Sequence, residues 1–60
     1  MDYSAILGKV AITQTPLRPA GKAEIEDRVY DVVSSGEFID KGKEVEVVAV
    51  NSNRIVVKER

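Results

Sequence analysis

The 60-residue sequence can form only one small domain, and its nine basic and ten acidic side chains give a net charge of -1. A chain of this size buries only about 60% of its unfolded surface, so its core must be thin. It has no histidine and no cysteine, which excludes disulfides, thiolate or imidazole metal sites and nucleophile–imidazole pairs. Without a basic surplus, and with only two tyrosines and one phenylalanine, the composition argues against nucleic-acid binding.

The beginning of the chain is predicted to lead into a first strand. Residues 8–14 (GKVAITQ) favour a strand because Ile12 and Thr13 are β-branched. Residues 1–7 show no pattern, and we expect them to be a flexible lead-in to a barrel that spans 8–58. No apolar run approaches the ~20 residues that cross a membrane. We therefore interpret the chain as a soluble domain excised from a longer protein.

The second and third strands are predicted to pair as a hairpin. In residues 22–26 (KAEIE) apolar and charged side chains alternate, which is typical of a strand with one solvent-facing side. Residues 28–34 (RVYDVVS) follow a tight turn at Glu26-Asp27. A two-residue loop would pair Ala23 with Tyr30 and Ile25 with Arg28. The inner face would then carry Ala23, Ile25, Tyr30 and Val32, and the outer face Val29, Asp31 and Val33.

The last third of the chain predicts a second hairpin. Residues 44–50 (EVEVVAV) and 54–58 (RIVVK) form its strands, and 51–53 (NSN) its turn. Val48 and Val50 make both faces apolar near the end of the fourth strand, which indicates a bulge or closure against another strand. The core residues expected from this pair are Val45, Val47, Ile55 and Val57.

Five short strands without a helical period predict an all-β fold, because closure into a barrel removes the exposed edges that a small sheet must protect. We expect a five-stranded OB-fold-like barrel with no or minimal helix, in which the usual helix between the third and fourth strands has become a turn. An SH3-like barrel is the alternative that the local pattern leaves open.

The stretch TPLRPAG, residues 15–21, is stiff for a connection. Pro16 and Pro19 lack the N–H that a central strand needs. In one interpretation Leu17 plugs the barrel end and Arg18 is solvated or paired with an acidic side chain. The acidic candidates are Glu37 and Asp40. In the other, the loop is a docking element, and Arg18 donates to a carboxylate or phosphate of a partner.

The stretch GEFIDKG, residues 36–42, has the same two interpretations. Phe38 and Ile39 are predicted to close the bottom of a barrel that has no helix to cap it, and a protruding contact surface is the alternative. The candidate partner-contact residues are Leu17, Arg18, Pro19, Phe38 and Ile39. Gly21, Gly36 and Gly42 are predicted to be structural turn residues, with either a positive φ or a close backbone approach at Gly21.

No set of charged residues in the sequence predicts catalysis. Asp31 lies among valines in the third strand, and we interpret it as paired with Lys22 or Arg28 across the hairpin. A catalytic carboxylate would need a second titratable group in a cleft, and the sequence identifies none. We therefore expect no catalytic, cofactor-binding or metal-binding residue.

The ordered series of motifs in this chain resembles the C-terminal soluble domain of NfeD-family proteins. The family frame is Leu-x-Pro-x-Gly, a short strand, an Asp-containing strand, Gly-x-Phe-Ile-x-x-Gly and a Val-x-Val strand. The matching positions are Leu17, Pro19, Gly21, Asp31, Gly36, Phe38, Ile39, Gly42, Val45 and Val47, and Gly8, Ala11 and Thr13 also fit. Lys9 departs from a frequent glycine, and Glu26-Asp27 from a turn that usually carries one.

This resemblance implies an OB-fold module without catalytic residues, tethered on the cytoplasmic side of a membrane by helices upstream in the parent protein. It also implies a stomatin- or flotillin-like membrane-scaffold partner, no nucleic acid, no cofactor, and no membrane insertion by this fragment itself. The alternatives are a nucleic-acid-binding OB module and an accessory domain of a membrane serine protease. A biotinyl- or lipoyl-type carrier is a weaker alternative, because Lys41 and Lys43 lack the frame of a modified lysine.

Overall fold

The strands close into a barrel in the order β1-β2-β3-β5-β4, and β4 returns to β1. A computed structural model describes residues 4–52 and 54–60 of the chain. A 3₁₀ helix, Ser4–Ile6, precedes the strands, whose bounds are β1 Val10–Thr13, β2 Ala20–Ile25, β3 Arg28–Ser34, β4 Glu44–Asn51 and β5 Arg54–Glu59. All neighbours pair antiparallel except β3 and β5, which are parallel. This order is that of the OB-fold, a five-stranded Greek-key barrel, and the predicted fold is confirmed.

The β2–β3 hairpin has the predicted two-residue loop. Glu26 and Asp27 both have positive φ values, 50° and 69°, as the type I′ turn that fits the strand twist requires. The register pairs Ile25 with Arg28 and Ala23 with Tyr30, as expected. The turn therefore fixes which side chains of the two strands enter the core.

The core is aliphatic and fills the barrel. Tyr30 and Val50 are partly buried and pack against it. The ladder between β4 and β5 shifts register between Val47 and Ala49, a bulge that leaves Val48 exposed. The predicted bulge is thus confirmed. The buried apolar residues are Ile6, Ala11, Leu17, Ala23, Ile25, Val32, Ile39, Val45, Val47, Ile55 and Val57.

The beginning of the chain differs from the predicted flexible lead-in. Residues 4–6 form the 3₁₀ helix, and Ile6 is buried in the core. The N–H of Gly8 donates to the carbonyl of Val47 at 2.9 Å, which ties this segment to β4. Residues 1–3 lie outside the described part of the chain, as does Asn53 of the predicted 51–53 turn. The lead-in therefore adds an apolar side chain to a small core.

Candidate functional site

The loop between β1 and β2 carries the proline-rich stretch, and hydrogen bonds fix it at both ends. At its start, the hydroxyl Oγ1 of Thr15 accepts from the N–H of Lys22 at 3.0 Å. At its end, the carbonyl of Pro19 accepts from the N–H of Ser34 at 2.9 Å. The peptide bond between Arg18 and Pro19 is cis. The loop is thus attached to both β2 and β3, which limits its freedom.

The middle of this loop pairs with the loop between β3 and β4. The N–H of Leu17 donates to the carbonyl of Ile39 at 2.8 Å, and the N–H of Ile39 donates back at 3.2 Å. Both side chains are buried. Leu17 and Ile39 therefore close the end of the barrel, and their side chains are not at the surface where the sequence analysis proposed partner contact.

The sequence analysis predicted Gly21 to be a turn residue, but it lies within β2. A Cβ atom built there would lie 2.6 Å from Leu17 Cδ2, 2.6 Å from Thr15 Oγ1 and 2.7 Å from the carbonyl oxygen of Pro16. The loop folds back over this position so closely that only glycine fits. The alternative expectation of a close backbone approach is the correct one.

Arg18 and Phe38 project from the paired loops. The guanidinium carbon of Arg18 lies 5.5 Å from the centroid of the Phe38 ring, a cation–π distance. Phe38 is 56% exposed, so the prediction that it helps to close the barrel is wrong. Among the described residues, Arg18 makes no ion pair with Glu37 or with an aspartate. We call Arg18, Pro19 and Phe38 the loop knob.

An open cavity of about 600 Å³ borders the β1–β2 loop at Thr15. Its wall combines aliphatic side chains with Lys22, Asp31 and Arg54. Lys22 Nζ and Asp31 Oδ1 form an ion pair at 2.6 Å, which confirms one of the two predicted partners of Asp31. The lining residues are Thr15, Ala20, Gly21, Lys22, Asp31, Val32, Val33, Arg54 and Ile55. The lining includes two cations and one anion, and the Lys22–Asp31 pair leaves Arg54 as the excess positive charge, so the cavity favours an anionic or neutral ligand group.

The sequence reasoning did not identify this cavity. Val33 lies on the outer face as expected, since it pairs with the exposed Ala20. It is half-buried and lines the cavity. Arg54 reaches the same place from β5, 39 residues after Thr15 of the loop and 32 to 34 residues after the β2 residues that line the cavity. No local pattern connects these segments, because the parallel β3–β5 pairing brings them together.

Gly36 and Gly42 have the turn conformations that the sequence predicted. Their φ values are 102° and 81°, which glycine adopts at little cost. They bound the β3–β4 loop that presents Phe38. In the described part of the chain, no three carboxylates lie close enough together to hold a metal ion.

The fold and its loops define a small closed OB-fold domain that presents an apolar–cationic loop knob and an open cavity. Residues 3–59 match the family model of the NfeD-like C-terminal, partner-binding domain. The chain therefore belongs to the NfeD family, as its C-terminal partner-binding domain. The resemblance stated from the sequence is confirmed.

One curated protein is a relative by sequence, and one solved structure shares the fold. Over 54 residues, 90% of this chain, it is 54% identical to membrane protein NfeD1b of Bacillus subtilis (strain 168), of which it spans 12%. The C-terminal domain of stomatin operon partner protein 1510-C from Pyrococcus horikoshii has the same fold. The TM-score is 0.91 at 20% identity, covering all of this chain and 95% of that one. In the described part of this chain, no helix has the length and hydropathy to cross a membrane.

Proposed function

We propose that this domain is a non-catalytic interaction module that binds a stomatin- or flotillin-like membrane-scaffold protein through the loop knob. The observation that supports this most is the exposed Phe38 with the guanidinium of Arg18 beside it. Aromatic and arginine side chains are the residue types that dominate the binding energy of protein interfaces. The family's partner-binding description applies to the whole domain, and the knob is our assignment within it.

The hydrogen bonds that hold both loops in place would lower the free-energy cost of binding a partner through so small a surface. Association is opposed by the ordering of mobile loops and side chains, so a surface fixed in advance loses less free energy on binding. Here the Leu17–Ile39 pair fixes the two loops relative to each other. The guanidinium of Arg18 makes no ion pair within the described residues, which leaves it available to a carboxylate of the partner.

The cavity is the second part of the proposed site. Thr15 lines it, and the same loop carries Arg18 of the knob three residues later. We propose that an apolar side chain of the partner enters the cavity while the partner's carboxylate contacts Arg18. Such an arrangement would place an apolar anchor in a pocket, where the hot spots of protein interfaces cluster, beside a charge-assisted contact.

The parent protein supplies the membrane context in this proposal. NfeD1b, of which the chain spans 12%, is named a membrane protein. We propose that this domain, with the barrel over residues 8–58, is likewise tethered to a membrane, on the cytoplasmic side. In a parent with a serine-protease domain it would serve that enzyme as an accessory domain.

The proposal is tested by isothermal titration calorimetry, in which the soluble part of a stomatin-like protein from the same genome is titrated into this chain. Arg18→Glu and Phe38→Ser should each weaken binding by at least about 10-fold, the effect of losing one hot-spot residue. Arg28→Glu is the matched control, because it makes the same charge change at an exposed position in the β2–β3 hairpin. No binding by the unmodified chain, or an equal loss with Arg28→Glu, would refute the proposal.

A further inference from the structure

A second surface, away from the loop knob, carries exposed apolar side chains on the outside of β1. Val10 and Ile12 point outward and are 42% and 38% exposed, while Ala11 and Thr13 between and after them point inward and are buried. Branched apolar side chains on the solvent side of a strand contribute nothing to the core. Val10 and Ile12 therefore form an apolar centre on the outer face of the barrel.

Glutamates flank this apolar centre on both sides. Ile12 pairs with Glu44 of β4 and with Glu24 of β2, and Val10 pairs with Glu46 of β4. All of these pairs lie on the outside of the barrel, because directly paired residues of antiparallel strands share a face. We call Val10, Ile12, Glu24, Glu44 and Glu46 the β1 face.

The carboxylates of the β1 face are available for an external partner. Among the described residues, the ion pairs are Lys9–Glu26 and Lys22–Asp31, so Glu24, Glu44 and Glu46 take part in none. Glu24 accepts one long hydrogen bond from Gln14 Nε2, at 3.4 Å. Lys58 of β5 lies opposite Glu46 on its other side. The N–H of Arg60, the residue after β5, donates to the carbonyl of Glu44 at 3.1 Å, so two cations border the three glutamates on this side.

We propose that the β1 face binds a basic amphipathic helix of a protein partner. A helix about 10 Å wide laid along β1 would cover Val10 and Ile12, whose positions are about 6.7 Å apart. The neighbouring strands lie about 4.8 Å away on each side, so lysines or arginines flanking the helix's apolar stripe would meet the glutamates. The proposal concerns a surface separate from the loop knob and stands whether or not the knob binds a scaffold protein.

The charge of the β1 face favours a basic helix over a second copy of this chain or an anionic membrane. A second copy packed on the same face by two-fold symmetry would bring its glutamates against these ones, which is repulsive. An anionic membrane surface would be repelled in the same way. A segment that is both apolar and cationic matches both features of the face.

The test uses a model peptide and NMR spectra of this chain. The probe is an amphipathic helix of about 18 residues with a leucine stripe flanked by lysines, and the comparison peptide carries glutamate at each lysine position. We expect the lysine peptide to shift the amide signals of β1, β4 and β2. Binding should weaken between about 50 and about 300 mM salt, because exposed charges are screened.

Substitutions in this chain identify the residues that contact the peptide. Combined Glu44→Lys and Glu46→Lys changes should weaken peptide binding by about 10-fold, whereas Glu37→Lys in the β3–β4 loop should leave it unchanged. Thermal melts of each variant verify that the barrel is intact. Arg18→Glu should also leave peptide binding unchanged, which separates this result from the test of the loop knob.

Several results would overturn the proposal. They are equal binding of the glutamate peptide, shifts confined to the loop knob, and concentration-dependent self-association that Ile12→Gln abolishes. Binding of anionic vesicles through the β1 face would also overturn it, because it would assign the surface to lipid.

Discussion

Replacing Gly21 by alanine is the most specific test of how the β1–β2 loop packs. The new Cβ atom would lie 2.6 Å from Leu17 Cδ2 and 2.7 Å from the carbonyl oxygen of Pro16. Neither atom can move freely. Leu17 is fully buried and hydrogen-bonded at both its N–H and its carbonyl to Ile39, and Pro16 belongs to a loop attached at both ends.

Two destabilising contributions and one stabilising contribution set the change in the free energy of unfolding. Overpacking a well-packed site costs about 1–3 kcal/mol. The third close atom, Thr15 Oγ1 at 2.6 Å, also accepts the hydrogen bond from Lys22, whose loss costs about 1 kcal/mol. Replacing glycine in a strand recovers about 0.5–1 kcal/mol of conformational entropy. The net loss of unfolding free energy should be about 2 kcal/mol, against a total of about 3–9 kcal/mol for a domain of this length.

Urea unfolding followed by circular dichroism measures this change. Gly36→Ala is the control for steric overlap, because a Cβ there meets nothing within 4 Å and only the positive φ of 102° opposes it, at about 1–2 kcal/mol. In a double-mutant cycle, Leu17→Ala should relieve part of the clash, so the two losses should sum to more than the double variant shows. A Gly21→Ala variant as stable as the unmodified chain would refute the described packing of the loop.

Other residues give further predictions. Thr13→Val should cost about 2 kcal/mol in urea unfolding, because the buried hydroxyl donates to the Asp40 carbonyl at 2.7 Å and accepts from the Lys43 N–H at 2.9 Å. Ile39→Ala should cost about 2–5 kcal/mol through a core cavity, and a smaller loss would contradict its role in closing the barrel. Asp31→Asn should change stability by less than about 1 kcal/mol, because its ion pair is exposed to solvent. A single-stranded oligonucleotide should not bind in a low-salt titration, and tight binding that weakens with salt would restore the nucleic-acid alternative.

The sequence predicted those parts of the fold that depend on local pattern. Strict alternation in residues 22–26 and a turn at Glu26-Asp27 fix the hairpin register, because a slip of one residue would expose Ile25. The same reasoning placed Val45 and Val47 inside the barrel. In each case a period of two and a turn of known length suffice, and both are visible in one short stretch.

The parts that local pattern did not predict depend on contacts between distant residues. Phe38 and Ile39 are adjacent and both apolar, and only the pairing of Ile39 with Leu17 decides which of them is buried. The contact of Arg18 with Phe38 spans two loops. The sequence pattern places Ile6 in a lead-in, because a 3₁₀ helix of three residues is too short to show a period.

The central claim is that partner recognition lies on the loop knob and the adjacent cavity. Methyl and amide NMR of this chain, titrated with the soluble part of a stomatin-like protein from the same genome, tests it most directly. The account predicts that signals of Arg18, Phe38 and the cavity residue Val33 shift together with one affinity, and that those of the β2–β3 turn do not. Shifts confined to other faces of the barrel, with the knob and the cavity unchanged, would contradict it.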